Sequence, residues 1–191
     1  MNKVKYREWG PNMDNNKVER LEQEDFIGFW KRVLATILDL IVILIPAVIV
    51  YWIFNSLAVS LHSEIPIILE YILFVVFDVF MIVRFGGTPG KLILKIKIIN
   101  QQGNYPTLKE ALIRNIFRII STIFSMIVGV SLYDLTAIST NLALWAPLAT
   151  DLSKILGFIM LVDYLFVAFT PRKRALHDMM AGTYVVDKSV I

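Results

Sequence analysis

Asp39, Asp78 and Asp163 each stand inside an apolar run, and Arg32, Arg84 and Arg118 stand at or just inside the ends of such runs. A carboxylate at the centre of a membrane-inserted helix costs about 2.5–3.5 kcal/mol, so it turns toward neighbouring helices and takes a partner. Acids in this setting mark proton or ion paths, and they also serve in Arg–Asp networks that tie helices together without transport. Arg32 and Asp39 are seven residues apart, about two helical turns, and project from nearly one face. Residue types alone leave both readings open. The chain has two histidines, His62 and His177, and no cysteine, which excludes disulfides and thiolate chemistry and argues against a histidine-rich metal centre. No nucleophile–base pair stands out, so catalysis, a cofactor and a bound metal are not expected.

The elements that must position these charges are apolar helices. The 191 residues are 57% hydrophobic and 18% charged, with a mean hydropathy of +0.64, against about 45–50% and about 25% in soluble domains. The apolar residues fall in blocks, which predicts an all-α polytopic membrane protein with four transmembrane helices, at residues 33–54, 65–83, 116–132 and 155–170. The first block holds fifteen Leu, Ile, Val or Phe residues, a gain of about 4.5–9 kcal/mol that outweighs Asp39. In the second, Glu70 lies near an end and is expected to reach toward the headgroups. The fourth block is marginal by itself because Asp163 stands near its middle.

Between the blocks, residues 55–64 read as a short polar link, and 135–150, with Trp145 and Pro147, as an interfacial segment. Residues 92–99 alternate, Lys95 and Lys97 on one side and Leu94, Ile96 and Ile98 on the other, the period of a half-buried strand. A second strand at 183–187 is expected to pair with it into a small β-element. Thr107 and Glu110 form a capping box that opens a short helix. Residues 1–25 read as a flexible tail and 26–187 as one domain. No signal-peptide pattern is expected in the tail. The run Gly86-Gly87-Thr88-Pro89-Gly90-Lys91 superficially resembles a phosphate loop, but its glycine spacing is one short and Leu92 stands where Ser or Thr is needed. Nucleotide and nucleic-acid binding are therefore not expected.

Residues 84–115 carry six Lys or Arg and the stretch after Thr170 carries four, whereas 55–64 carries none. The positive-inside rule then places both termini and the 84–115 link in the cytoplasm. On that orientation Asp39, Asp78 and Asp163 lie about 8–10 Å in from the inner edge, with Arg32, Arg84 and Arg118 ringing that edge as expected charge partners.

The ordered motifs of residues 26–187 make the chain similar to the RDD family of small bacterial membrane proteins. They are Gly28-Phe29-Trp30-Lys31-Arg32 with Ala35 and Asp39, then Gly87-Thr88-Pro89-Gly90-Lys91, Ala111 with Arg114, and Leu176-His177-Asp178 running to Gly182-Thr183. By this resemblance the family's arginine falls on Arg32 and its first aspartate on Asp39. Its second falls on Asp178, with Asp163 the other claimant. Where the family often has glycine along the strand, this chain has Lys95. The resemblance implies a multi-pass protein of the bacterial cytoplasmic membrane. Some members are associated with sodium/proton exchange, and others act as partners or regulators of membrane complexes. His177 and Asp178 are expected either to serve a proton-linked step or to tie the last short helix to the Gly-Thr-Pro-Gly turn.

Two functions follow as expectations. The first is a transport-associated protein that takes up protons or a monovalent cation such as sodium at Asp39, with Asp78 or Asp163. The second is a non-catalytic adaptor or regulator. Its partners would be the lipid bilayer and another membrane protein or a second copy of the chain.

Overall fold

The computed structural model describes residues 17–133 and 136–190. Residues 1–16 of the expected tail, Asp134, and Leu135 of the expected interfacial segment lie outside the described residues. Helix α1 runs Phe29–Leu61, α2 Ile65–Phe85, α3 Pro89–Ile93, α4 Leu108–Arg114, α5 Ile116–Ser131, α6 Ala137–Ala143, α7 Ala146–Phe169 and α8 Leu176–Met180. Strands β1 (Ile96–Ile99) and β2 (Tyr184–Asp187) pair antiparallel, Ile96 opposite Asp187 and Ile99 opposite Tyr184.

Among the described residues, three stretches are long and apolar enough to cross a membrane: α1, α2 continued into α3, and α7. The third expected span, α5, has 16 residues, about 24 Å of rise. It reaches that criterion only together with α4, from which it is bent by 63°. Of the expected four spans, three thus have a helix long and apolar enough among the described residues, and the fourth is not confirmed: it would require the bent α4–α5 pair to count as one span.

The expected polar link at 55–64 is a correction. Asn55 and Ser60 turn their polar groups back onto the Tyr51 and Ser56 carbonyls at 2.8 Å each, so α1 continues to Leu61. It stops at His62, whose φ of 48° is left-handed. At 135–150 lie α6 and the first turns of α7, so the correction there is to the start of the fourth helix, which begins at Ala146 rather than near 155. A third correction concerns 92–99. Thr88 and Pro89 start a helix that takes in Leu92 and Ile93, and Lys95 turns the chain at φ 57° before β1 begins at Ile96.

All four β1 residues are buried, so the strand is not half-solvated as its alternation implied. Lys97 escapes an unpaired burial by donating to the Phe85 carbonyl at 2.5 Å and lying over the Tyr105 ring. The sheet's free edges are blunted by the chain itself: the Ile98 N–H donates to the Gly86 carbonyl, and the Ile27 N–H donates to the Val185 carbonyl. Val18 and Phe26 pack against Ile99, Tyr184 and Val186, so the described part of the expected tail, residues 17–25, is folded onto the sheet in two 3-10 turns. A second cluster, including Ile27, Ala35, Ile82, Ile98 and Val185, joins the sheet to α1 and α2. This junction positions the charged residues.

Candidate functional site

Asp178 is the hub. It is the third residue of a short helix and is fully buried. Its Oδ2 accepts from Arg32 Nη1 at 2.6 Å and from the Ala175 N–H, and its Oδ1 accepts from Arg114 Nη1. Burial alone would raise this carboxyl, but the Arg114 and Arg32 guanidiniums outweigh it and hold the group well below its ordinary value of 3.8. Arg32 also donates to the Ile27 and Lys173 carbonyls at 3.1 and 2.6 Å, and Arg114 to the Thr183 hydroxyl at 2.9 Å. One carboxylate therefore joins α1, α4, α8 and the start of β2. This is a clasp.

Asp39 is held differently. Its two oxygens accept from the Thr88 hydroxyl and the Gly90 N–H, both at 2.6 Å. Thr88 in turn accepts from Lys91 Nζ at 3.1 Å. The Gly-Thr-Pro-Gly turn thus wraps the carboxylate at the start of α3, where main-chain N–H groups point outward. A side chain at position 90 would collide with α1, because a Cβ there would come within 2.2 Å of the Ala35 carbonyl oxygen. Asp39→Asn removes the charge and offers only one acceptor to two donors. We expect it to lower stability by about 1.5–3 kcal/mol, read as an earlier melt with helical circular dichroism retained before the transition.

Asp163, on α7, accepts from the His177 main-chain N–H at 2.8 Å and pairs with its ring Nδ1. His177 Nε2 lies 3.3 Å from Asp178 Oδ1, so the imidazole links the α7 carboxylate to the clasp. Asp78 pairs with Arg118. A cavity of about 50 Å³ lies among these groups, with Thr88, Lys91, Arg114, Arg118, Asp163 and His177 on its wall.

The expected layer of carboxylates is present as a set of separate attachments. Asp39, Asp78 and Asp163 do not share ligands, and Arg32 pairs with Asp178 rather than with Asp39. Arg118 meets Asp78 as expected of a charge partner, whereas Arg84 is exposed and makes no ion pair among the described residues. Both claimants for the second aspartate enter the network, Asp178 at the hub and Asp163 through His177. Gly87 is buried in the turn with Thr88 and Gly90. Gly182, at φ 64°, turns the chain from α8 into β2. Arg114 was absent from the expected charge partners, although the motif containing Ala111 and Arg114 is a signal that points to it.

A second polar group lies toward the other end of α1. Glu70 is 8% exposed, so the expectation that it reaches for headgroups is corrected. Its carboxylate faces Asn55 Nδ2 at 3.5 Å, and Asn55 Oδ1 accepts from the Tyr133 hydroxyl. Glu64, also buried, accepts from the Ser139 N–H and the Thr136 hydroxyl and so anchors the start of α6.

The sequence model described as the RDD family matches residues 26–182. The chain is similar to a protein of Bacillus subtilis (strain 168) called "Uncharacterized protein YckC", 26% identical over 160 residues that cover 83% of this chain and 82% of the other. No solved structure matches it.

Proposed function

The chain belongs to the RDD family, and from that footing we propose that it is a non-catalytic module of the bacterial cytoplasmic membrane that holds or regulates another membrane protein. The observation that supports this reading is the occupancy of its carboxylates. Asp39, Asp163 and Asp178 each have both oxygens engaged by donors of the same chain. A monovalent cation is coordinated by several oxygens, such as main-chain carbonyls. To bind here it would have to displace those donors and open the clasp. In this reading the charges hold the β-element and α8 in a set pose against the helices.

The test has two arms. In proteoliposomes carrying an internal pH dye, an imposed sodium or potassium gradient is expected to produce no more pH change than in empty vesicles. In native membranes a photo-crosslinker at the exposed Met180 is expected to give one discrete adduct with a second membrane protein. A second reading, proton or cation handling, draws support from Asp163–His177 beside a polar cavity and from the buried Glu70 farther along. Sodium-driven flux that Asp163→Asn abolishes without changing the melting temperature would establish that reading instead.

A further inference from the structure

Arg84, singled out by the sequence, finds no place in the clasp. Residues 84–115 carry six Lys or Arg against a single acid, Glu110. Arg114 goes to Asp178, Lys91 to the Thr88 hydroxyl and Lys97 to the Phe85 carbonyl, and Lys95 lies by Asp187. Glu110 is taken up by the Thr107 N–H and hydroxyl. Arg84 and Lys109 remain, both exposed and neither in an ion pair among the described residues.

Both belong to the junction of α2 with α4, which pack against one another. The Tyr105 ring, just before α4, covers Lys97, whose ammonium reaches the Phe85 carbonyl at the end of α2. Apolar side chains flank the two cations. Phe85 is exposed next to Arg84, and on α4 the 59% exposed Leu108 and Leu112 stand one turn apart, off the face that buries Ala111 and Arg114. The 63° bend between α4 and α5 lays α4 nearer the membrane plane than its normal when α5 stands upright. Apolar side chains on a helix so laid enter the boundary between acyl chains and headgroups, and basic residues beside them reach the phosphate layer.

We propose that the α2–α4 junction binds an anionic glycerophospholipid, with Arg84 and Lys109 on its phosphate and Phe85, Leu108 and Leu112 along its acyl chains. The site goes beyond the adaptor reading and does not depend on it. Charge complementarity selects the occupant: two cations without a carboxylate meet a phosphodiester that carries no cation of its own, as in phosphatidylglycerol. A zwitterionic lipid brings its own ammonium and leaves them uncompensated. Arg84 supplies a planar fork that matches two phosphate oxygens, and Lys109 a point charge. The apolar flank distinguishes a lipid from a soluble phosphate, which would leave those side chains in water.

The test is thermal melting of the purified protein in nanodiscs of phosphatidylcholine, doped stepwise with phosphatidylglycerol at fixed ionic strength. We expect a saturable rise in melting temperature with the anionic lipid. Arg84→Gln and Lys109→Gln each move the half-saturation point up about fivefold, and the double variant loses the response. Both side chains are exposed, so the variants keep their fold, which unchanged melting in phosphatidylcholine alone verifies. Lys31→Gln removes another exposed cation, from the start of α1, and leaves the half-saturation point in place. Glycerophosphoglycerol, the headgroup without its chains, gives no rise. Identical melting at every lipid ratio would overturn the proposal and leave Arg84 to an acidic segment of a partner protein. So would a shift with Lys31→Gln as large as with Arg84→Gln, since that is diffuse attraction to a charged surface. Stabilisation by the bare headgroup equal to that by the lipid would overturn it as well.

Discussion

Asp178→Asn is expected to destabilise the protein by about 3–5 kcal/mol, because it leaves two buried guanidiniums facing a neutral group. For a chain of this size that is a fall in melting temperature of roughly 6–20 °C. Arg32 and Arg114 are both buried, so neither can turn to water for compensation, and each keeps other bonds that hold it in place. Asp151→Asn is the control. It breaks a pair with Lys154 whose side chains are 70% and 72% exposed, and such pairs are worth about 0–1 kcal/mol. Adding Arg114→Met to Asp178→Asn removes one stranded charge and recovers part of the loss, and the cycle of four melts measures the coupling. Equal melting of the two single Asn variants would show that Asp178 is not the hub.

The pH dependence has a definite sign. The Asp178 carboxyl is held below its ordinary value of 3.8 in the folded chain. Its contribution is therefore present above that ordinary value and is lost only as pH falls through the depressed one. The gap in melting temperature between the natural protein and Asp178→Asn should stay constant from about pH 8 to about pH 5 and close only in stronger acid.

Gly90→Ala is expected to cost on the order of 3 kcal/mol or more, while Gly157→Ala is expected to stabilise by about 0.5–1 kcal/mol. At position 90 the new methyl would lie 2.2 Å from the Ala35 carbonyl oxygen and 2.6 Å from the Asp39 nitrogen. Both are helix main-chain atoms, which cannot swing aside as a side chain can. The turn must lift away from α1, and the Asp39 bonds to Thr88 and Gly90 go with it. At position 157, inside α7, a Cβ meets nothing within 4 Å, so the substitution only removes backbone freedom from the unfolded chain. Melting curves of the two variants should shift in opposite directions.

Much of the frame was legible in the residues. Hydropathy located α1, α2 and α7 because an apolar run of about twenty residues has few other ways to bury itself. The capping box at Thr107 and Glu110 is present as read, with both reciprocal bonds made. The pairing of the two strands was also legible, since a lone strand leaves its ladder groups unmet. Boundaries were less so. The polar residues Asn55 and Ser60 looked like a link, yet each satisfies itself on the helix one turn back, which sequence counts as polarity and structure counts as a closed bond.

The partners of the charges were decided by tertiary structure alone. Arg32 and Asp39 share a helix face, and sequence spacing made them look like a pair. Side chains on a helix lean toward its N-terminus, so Arg32 points away from Asp39, toward Ile27, Lys173 and Asp178. Asp39 leans back into the turn that α1 meets at Gly90. The residue types by themselves determined that buried carboxylates and guanidiniums must find one another, because an unpaired charge in an apolar interior is too costly. Which carboxylate meets which cation depends on contacts 146 and 64 residues apart in the chain. Only the packing of α8 and the sheet against the helix ends could set them.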